Sequence, residues 1–485
     1  MSEKPDKKSF TRSEFLTLTS LGLGSVALLS GCGDAQPEVE NRVPAGEEWR
    51  SVPEDSASYL SEQASQNNIL QEAADGIAHH RKSPAALRVR DDQGNVLRGL
   101  ELDITQQESL FEWGLSFIED IEDRHKPASD RKMRHVRELF NFTTAKCYWD
   151  ERWHQPIEKE EGNRIYHVFR DEILYGRANG LQIKGHPLVW TVRKAIPGWL
   201  DNYEHPKRLE ILESHVRSLV RQGKGLVASW DLVNEMLWEP TFRNYLQRDW
   251  PHIEPVDEIA DYIAQALQWV RDEDPEPALV INDYGLQVAP HEDITAKGQR
   301  ERYVALAELL KERGSAPDAI GTQAHVGGWY TPEVFRESLD HLAEAGLPIQ
   351  VTEFWAHLED LPELRTMSES EQTDALIRYI TDCYTIAFGH PAVSHFSYWG
   401  GGRHFFDENG APTRVYNALY DLVANRWTTE LSLQTDEEGF ITFRGFHGDY
   451  TGRFRDKRGN RHEFRFSVLP GRDNRFELEI KQGIR

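Results

Sequence analysis

The spacing of apolar positions changes several times along the chain, and each change marks a new element. Ile69, Leu70, Ala73 and Ile77 recur at helical spacing, so residues 56–79 are predicted to form a helix. After Pro84 the pattern alternates. Leu87-Arg88-Val89-Arg90, the turn-forming run Asp91-Asp92-Gln93-Gly94-Asn95 and the stretch Val96 to Ile104 predict a β-hairpin. Between Phe111 and Trp427 eight short strand candidates follow: Phe111–Phe117, Leu139–Ala145, Gln182–Trp190, Val227–Glu235, Ala278–Tyr284, Ala319–Val326, Pro348–Phe354 and Val393–Gly400. Helical patterns intervene, among them Arg164–Asn179, Pro206–Gln222, Val256–Arg271 and Thr295–Arg313. Strand-then-helix order implies parallel strands, and eight in about three hundred residues favour a closed (β/α)8 barrel over an open doubly wound sheet. Past Trp427 alternation returns in Phe440–Arg444, Tyr450–Arg455, His462–Val468 and Arg475–Ile480, which reads as a small antiparallel β module able to pack with the N-terminal hairpin. Stability rather than sugar binding is the role expected of it.

The ends add an address to this α/β architecture. Lys4, Lys7, Lys8 and Arg12 precede an apolar run from Phe15 to Leu29 that is too short for an ordinary membrane span, the pattern of an export signal. Leu29-Ser30-Gly31-Cys32 resembles a bacterial lipobox, which implies a lipidated Cys32 and an exported, membrane-anchored lipoprotein. Thr11-Arg12-Ser13-Glu14-Phe15-Leu16 resembles a twin-arginine signal with Ser13 in place of the second arginine, so the export route stays open. The polar, proline-bearing run from Gly33 to Pro53 reads as a flexible tether. The resulting division is 1–32 signal, 33–55 linker, 56–110 helix and hairpin, 111–427 barrel and 428–485 β module.

Composition narrows the partners. A formal net charge of -24 disfavours binding to a phosphate backbone, so nucleic acid is excluded as a partner. The 14 Trp suit a surface that stacks on flat rings such as sugars. Cys147 and Cys383 lack any metal-site spacing and read as buried free thiols, although a disulfide between them stays open.

The tips of predicted strands carry the chemistry, because the C-terminal ends of barrel strands converge on one mouth. Strand four ends Ser229-Trp230-Asp231-Leu232-Val233-Asn234-Glu235, and strand seven ends Ile349-Gln350-Val351-Thr352-Glu353. Glycosidic cleavage needs two such carboxyl groups, one protonated to release the leaving oxygen and one ionised to attack or stabilise the anomeric carbon. Burial and a neighbouring negative charge would keep Glu235 protonated, while donors would hold Glu353 ionised. No cofactor and no metal is needed. Glu353 is expected to be a solvated mouth carboxylate that contributes little to stability.

These segments resemble glycoside hydrolase family 10, the barrel xylanases. Trp230-Asp231-Leu232-Val233-Asn234-Glu235 is similar to that family's WDVVNE, Thr352-Glu353 to its TE, Gly185-His186-Pro187-Leu188-Val189-Trp190 to its GHTLVW, Gly321-Thr322-Gln323-Ala324-His325 to its GxQxH, and Tyr398-Trp399-Gly400 to its late WG. The resemblance implies Glu235 as acid/base and Glu353 as nucleophile of a retaining, double-displacement hydrolase. It implies that Asn234 bonds the sugar 2-hydroxyl, that His325 holds Glu353, that His186, Trp190 and Gln323 line the reacting subsite, and that Trp399 stacks under a ring. Asn282 and Asp283 are weaker candidates for support, and Arg403 and His404 for loop contacts.

Departures accompany the matches. Where the family reads like TPENxMKW, this chain reads Thr143-Thr144-Ala145-Lys146-Cys147-Tyr148-Trp149, so Ala145 and Tyr148 replace the Asn and Lys that grip the next sugar. Thr191 replaces a second histidine, and Trp355 replaces an Asp two residues past the nucleophile. The partner implied is a xylan-like polysaccharide or oligosaccharide, acted on by a monomer. The alternative is a non-catalytic surface carbohydrate-binding protein on the same barrel.

Overall fold

The computed structural model describes residues 63–116, 124, 126–150, 156–247, 250–325, 329–358, 361–456 and 459–480. The expected signal, the tether and Cys32 lie outside the described residues. A helix, α1 (Gln63–His80), leads into strands β1 (Lys82–Asp91) and β2 (Glu101–Ser109). Then come β3 (Glu112–Ser116), α2 (Pro127–Leu139), β4 (Phe142–Lys146), α3 (His167–Ala178), β5 (Gln182–His186), β6 (Val189–Trp190), α4 (His205–Gly223) and β7 (Ser229–Asn234). The series continues with α5 (Val256–Glu273), β8 (Ala278–Asp283), α6 (Ala296–Glu312), β9 (Ala319–Thr322), α7 (Pro332–Ala343), β10 (Ile349–Phe354), α8 (Glu369–Gly389), β11 (Val393–Tyr398) and α9 (Arg414–Tyr420). Five strands end the chain: β12 (Glu430–Gln434), β13 (Phe440–Phe446), β14 (Gly448–Arg455), β15 (Arg461–Val468) and β16 (Arg475–Ile480).

Strands β3 to β11 form a closed parallel barrel of eight staves, with β11 pairing back onto β3. The third stave is interrupted: β5 and β6 flank Pro187, which has no N–H to give a ladder, and both pair with β7. Each stave presents apolar side chains to the surrounding helices. Trp230 is 1% exposed and packs against Phe169 of α3; a Cβ on Gly185 would lie 2.2 Å from its ring, so glycine is required there. The interior is polar instead. The Lys184 ammonium lies 2.7 Å from Asp231 Oδ1 and donates to Gln350 Oε1 at 2.8 Å, tying the third, fourth and seventh staves together beneath the mouth. Helix α1 packs on α8 and belongs to this unit, whose core spans Phe111–Trp427.

The second unit comprises Lys82–Leu110 and the chain from Thr428 onward. Its strands form two sheets, ordered β13-β1-β16 and β12-β2-β14-β15. This corrects the hairpin reading of the N-terminal strands. The turn at Asp91–Asn95 does form, with the Asp91 carboxylate accepting from the amides of Gln93 and Asn95, but the returning chain makes only an isolated Arg90–Val96 bridge and then crosses to the other sheet. The reason is that β1 and β2 each have one apolar face. Leu87 and Val89 in one sheet and Leu102 and Ile104 in the other share a buried core with Tyr450, Phe464, Phe466 and Leu478. The module is also not wholly antiparallel, since β1 runs parallel to β16. Strand β12, with only Leu431 and Leu433 to mark it, was not among the sequence candidates.

Candidate active site

The strand tips at the barrel mouth bring the two glutamates into one hydrogen-bonded network. Glu235 follows β7 with φ 65, a left-handed backbone uncommon outside glycine, and its amide donates to Asn282 O at 2.8 Å. Its Oε1 accepts from Asn234 Nδ2 at 3.2 Å and Gln323 Nε2 at 3.0 Å, and its Oε2 from Trp190 Nε1 at 2.5 Å. Glu353 lies inside β10, next to a register irregularity against β11. Its Oε1 accepts from Asn282 Nδ2 at 2.8 Å, and its Oε2 lies 3.4 Å from His325 Nε2. Glu353 is 4% exposed, which corrects the picture of a solvated mouth carboxylate: the stave itself buries it.

Asn282 joins the two carboxyl groups. Its Nδ2 also donates to Asn234 Oδ1 at 3.0 Å, while its Oδ1 accepts from Thr352 Oγ1 at 2.7 Å, so every polar atom of the amide is used. A Cβ on Gly321 would stand 2.5 Å from Asn282 Oδ1, which explains the glycine.

Burial raises the Glu235 carboxyl above its ordinary range and the charge of Glu353 adds to this, outweighing the donors Gln323 and Trp190. Beneath it, burial pushes Asp231 upward, but Lys184 and His186 together hold it lower than usual. Asp231 Oδ2 lies 2.8 Å from His186 Nδ1, which fixes that imidazole with its proton on Nδ1. The His186 ring meets the rings of Tyr148 at 5.7 Å and Trp399 at 5.3 Å, both near edge-on, and Tyr148 also touches Trp190 at 5.7 Å.

All eight side chains expected at the site therefore converge there. Trp190 and Trp399 are half-buried. His404 instead donates locally from Nε2 to Ala356 O, 2.9 Å away, and holds its loop. Sequence reasoning missed Asp231 and Lys184. The first lay within the Trp230–Glu235 motif, while the second carries no signal apart from its neighbours in space. Cys147 and Cys383 are both buried and free.

Two carboxyl groups on the fourth and seventh staves, one with its proton affinity raised by burial and the two linked through Asn234 and Asn282, define a barrel glycoside hydrolase. Known proteins place it more narrowly. The profile described as glycosyl hydrolase family 10 matches residues 119–420. Endo-1,4-beta-xylanase B of Thermotoga neapolitana is 28% identical over 321 residues, covering 62% of this chain and 85% of that one. A beta-1,4-xylanase of Dictyoglomus thermophilum is 34% identical over 186 residues, 38% of this chain and 49% of its own. Among solved structures, native xylanase 10B from Thermotoga maritima shares the fold with a TM-score of 0.50 at 24% identity, covering 65% of this chain and 95% of that one. The chain belongs to glycosyl hydrolase family 10 and is a retaining glycoside hydrolase.

Proposed function

We propose that this enzyme cleaves β-1,4-linked xylan or xylo-oligosaccharides, with Glu235 as acid/base and Glu353 as nucleophile. The observation that carries the assignment is the relay Glu235–Asn234–Asn282–Glu353, which holds the two carboxyl groups of the fourth and seventh staves in one hydrogen-bonded network. In the first step Glu353 attacks the anomeric carbon while Glu235 gives its proton to the departing oxygen. In the second, Glu235 takes a proton from water, which displaces Glu353 with net retention. In this reading Asn234 bonds the 2-hydroxyl, His186 and Gln323 orient the ring, and Trp399 faces it. The substrate class rests on the xylanase relatives. Ala145 and Tyr148 give the non-reducing side a more apolar wall, Tyr148 being packed against His186 and Trp190.

Purified protein is to be incubated with xylan, other β-glucans and aryl β-xylosides, with the product anomer followed by NMR. Retained β-product is expected. Glu353→Ala should abolish turnover, and Glu235→Ala should cost poor leaving groups more than activated aryl groups, which need little protonation. Binding without release from any substrate, or equal losses on both substrate types with Glu235→Ala, would refute the assignment.

A further inference from the structure

A third carboxyl group stands beside the acid. After Glu235 the chain turns, with Glu239 N donating to Glu235 O at 3.0 Å and Leu237 N to Asp283 Oδ2 at 2.7 Å. This turn leaves Glu239 half-buried beside Tyr284, the residue that follows stave five. Around it stand Tyr284, whose hydroxyl donates toward Glu239 Oε1 at 3.5 Å, and Trp250, whose indole donates to that hydroxyl at 3.1 Å. Trp238 stacks between Tyr284 and Trp250, at 5.6 and 6.1 Å, and leaves Trp250 half-exposed. The reacting ring is already provided for by Glu353, His186 and Trp399. A glycosidase acid must touch the oxygen that leaves, so this remaining polar and aromatic surface beside Glu235 faces the departing unit.

We propose that Glu239 is a specificity-determining residue of the leaving-group side, its carboxylic acid donating a hydrogen bond to a hydroxyl of the departing sugar, with Trp250 as the flat face beside it. The inference rests on Glu235 being the acid. Burial pushes Glu239 up to about 8, and the charge of Glu235 adds to this, with Lys194 opposing. The other groups facing it do not reverse this. Asp283 is itself raised well above its usual range by burial, Tyr284 is raised likewise, and His291 lies beyond Trp250 at 5.8 Å. Below about 8 the carboxyl therefore donates. Above it, the group is an acceptor only, and places a second anion beside Glu235.

The full chain and its Glu239→Ala and Glu239→Gln variants are to be compared on xylohexaose, which leaves a sugar, and on 4-nitrophenyl β-xylobioside, which leaves a phenol without hydroxyls to bond. Glu239→Ala should lower kcat/KM on xylohexaose roughly tenfold more than on the aryl substrate. Wild-type KM for xylohexaose should rise as pH passes 8, whereas Glu239→Gln, which donates without ionising, should hold its KM flat. Equal losses on the two substrates with Glu239→Ala, or an unchanged KM rise in Glu239→Gln, would overturn the proposal. No release from either substrate by the wild type would sink the glycosidase reading and this one with it.

Discussion

Asn282 does more at this site than its place in the sequence suggests. It bonds Asn234, Thr352 and Glu353 at once, and its carbonyl oxygen leaves no room for a methyl group on Gly321. Gly321→Ala should therefore push the amide aside. An overpacked buried site typically costs about 1–3 kcal/mol, and a catalytic group displaced by a fraction of an ångström loses roughly tenfold or more in rate. Steady-state kinetics and a thermal melt of the variant check both, and wild-type turnover would show that Asn282 does not orient Glu353. At this scale the two glutamates were legible because each lies in its own ordered motif. The centrality of Asn282 was not, since it arises only where the fourth, fifth, sixth and seventh staves meet. The same holds for Glu239, whose hold on its proton depends on burial beside Tyr284 and Trp250.

Among the elements, α4 carries an unusual burden. His215 is 0% exposed, stacks on Trp149 at 4.1 Å, and has no hydrogen-bond partner for either ring nitrogen among the described residues. Burial drives its proton affinity well below the usual value, and Arg164 adds to this. The unfolded chain takes up a proton below about pH 6.5 while the folded one does not, so stability falls as pH drops through that range, by up to about 1.4 kcal/mol per pH unit. His215→Phe, which keeps the stack, should show a smaller drop in Tm between pH 7 and pH 5 than the wild type. An identical drop would place the acid sensitivity elsewhere. The eight staves and the helices between them were readable from period alone, because each stave is a short buried run closed by turn residues. The pairing of β1 and β2 was not, because alternation says which face of a strand is apolar but not which strand lies beside it.

At the scale of the whole molecule, one unit interrupts the other. The strands that complete the sheets around β1 and β2 all come after residue 427, and the entire barrel is encoded between the two halves. During synthesis the ribosome therefore delivers β1 and β2 long before any strand they pair with. Leu87, Val89, Leu102 and Ile104 must wait unpaired while the barrel is made. Nascent chains stalled once residue 427 has cleared the ribosomal exit tunnel should accordingly yield a protease-resistant barrel with residues 82–110 still cleavable, and release of the full chain should protect them. Resistance of 82–110 in the stalled chain would show that they find shelter earlier. For a protein assembled in this order, the last strands to leave the ribosome close a sandwich that the first ones opened.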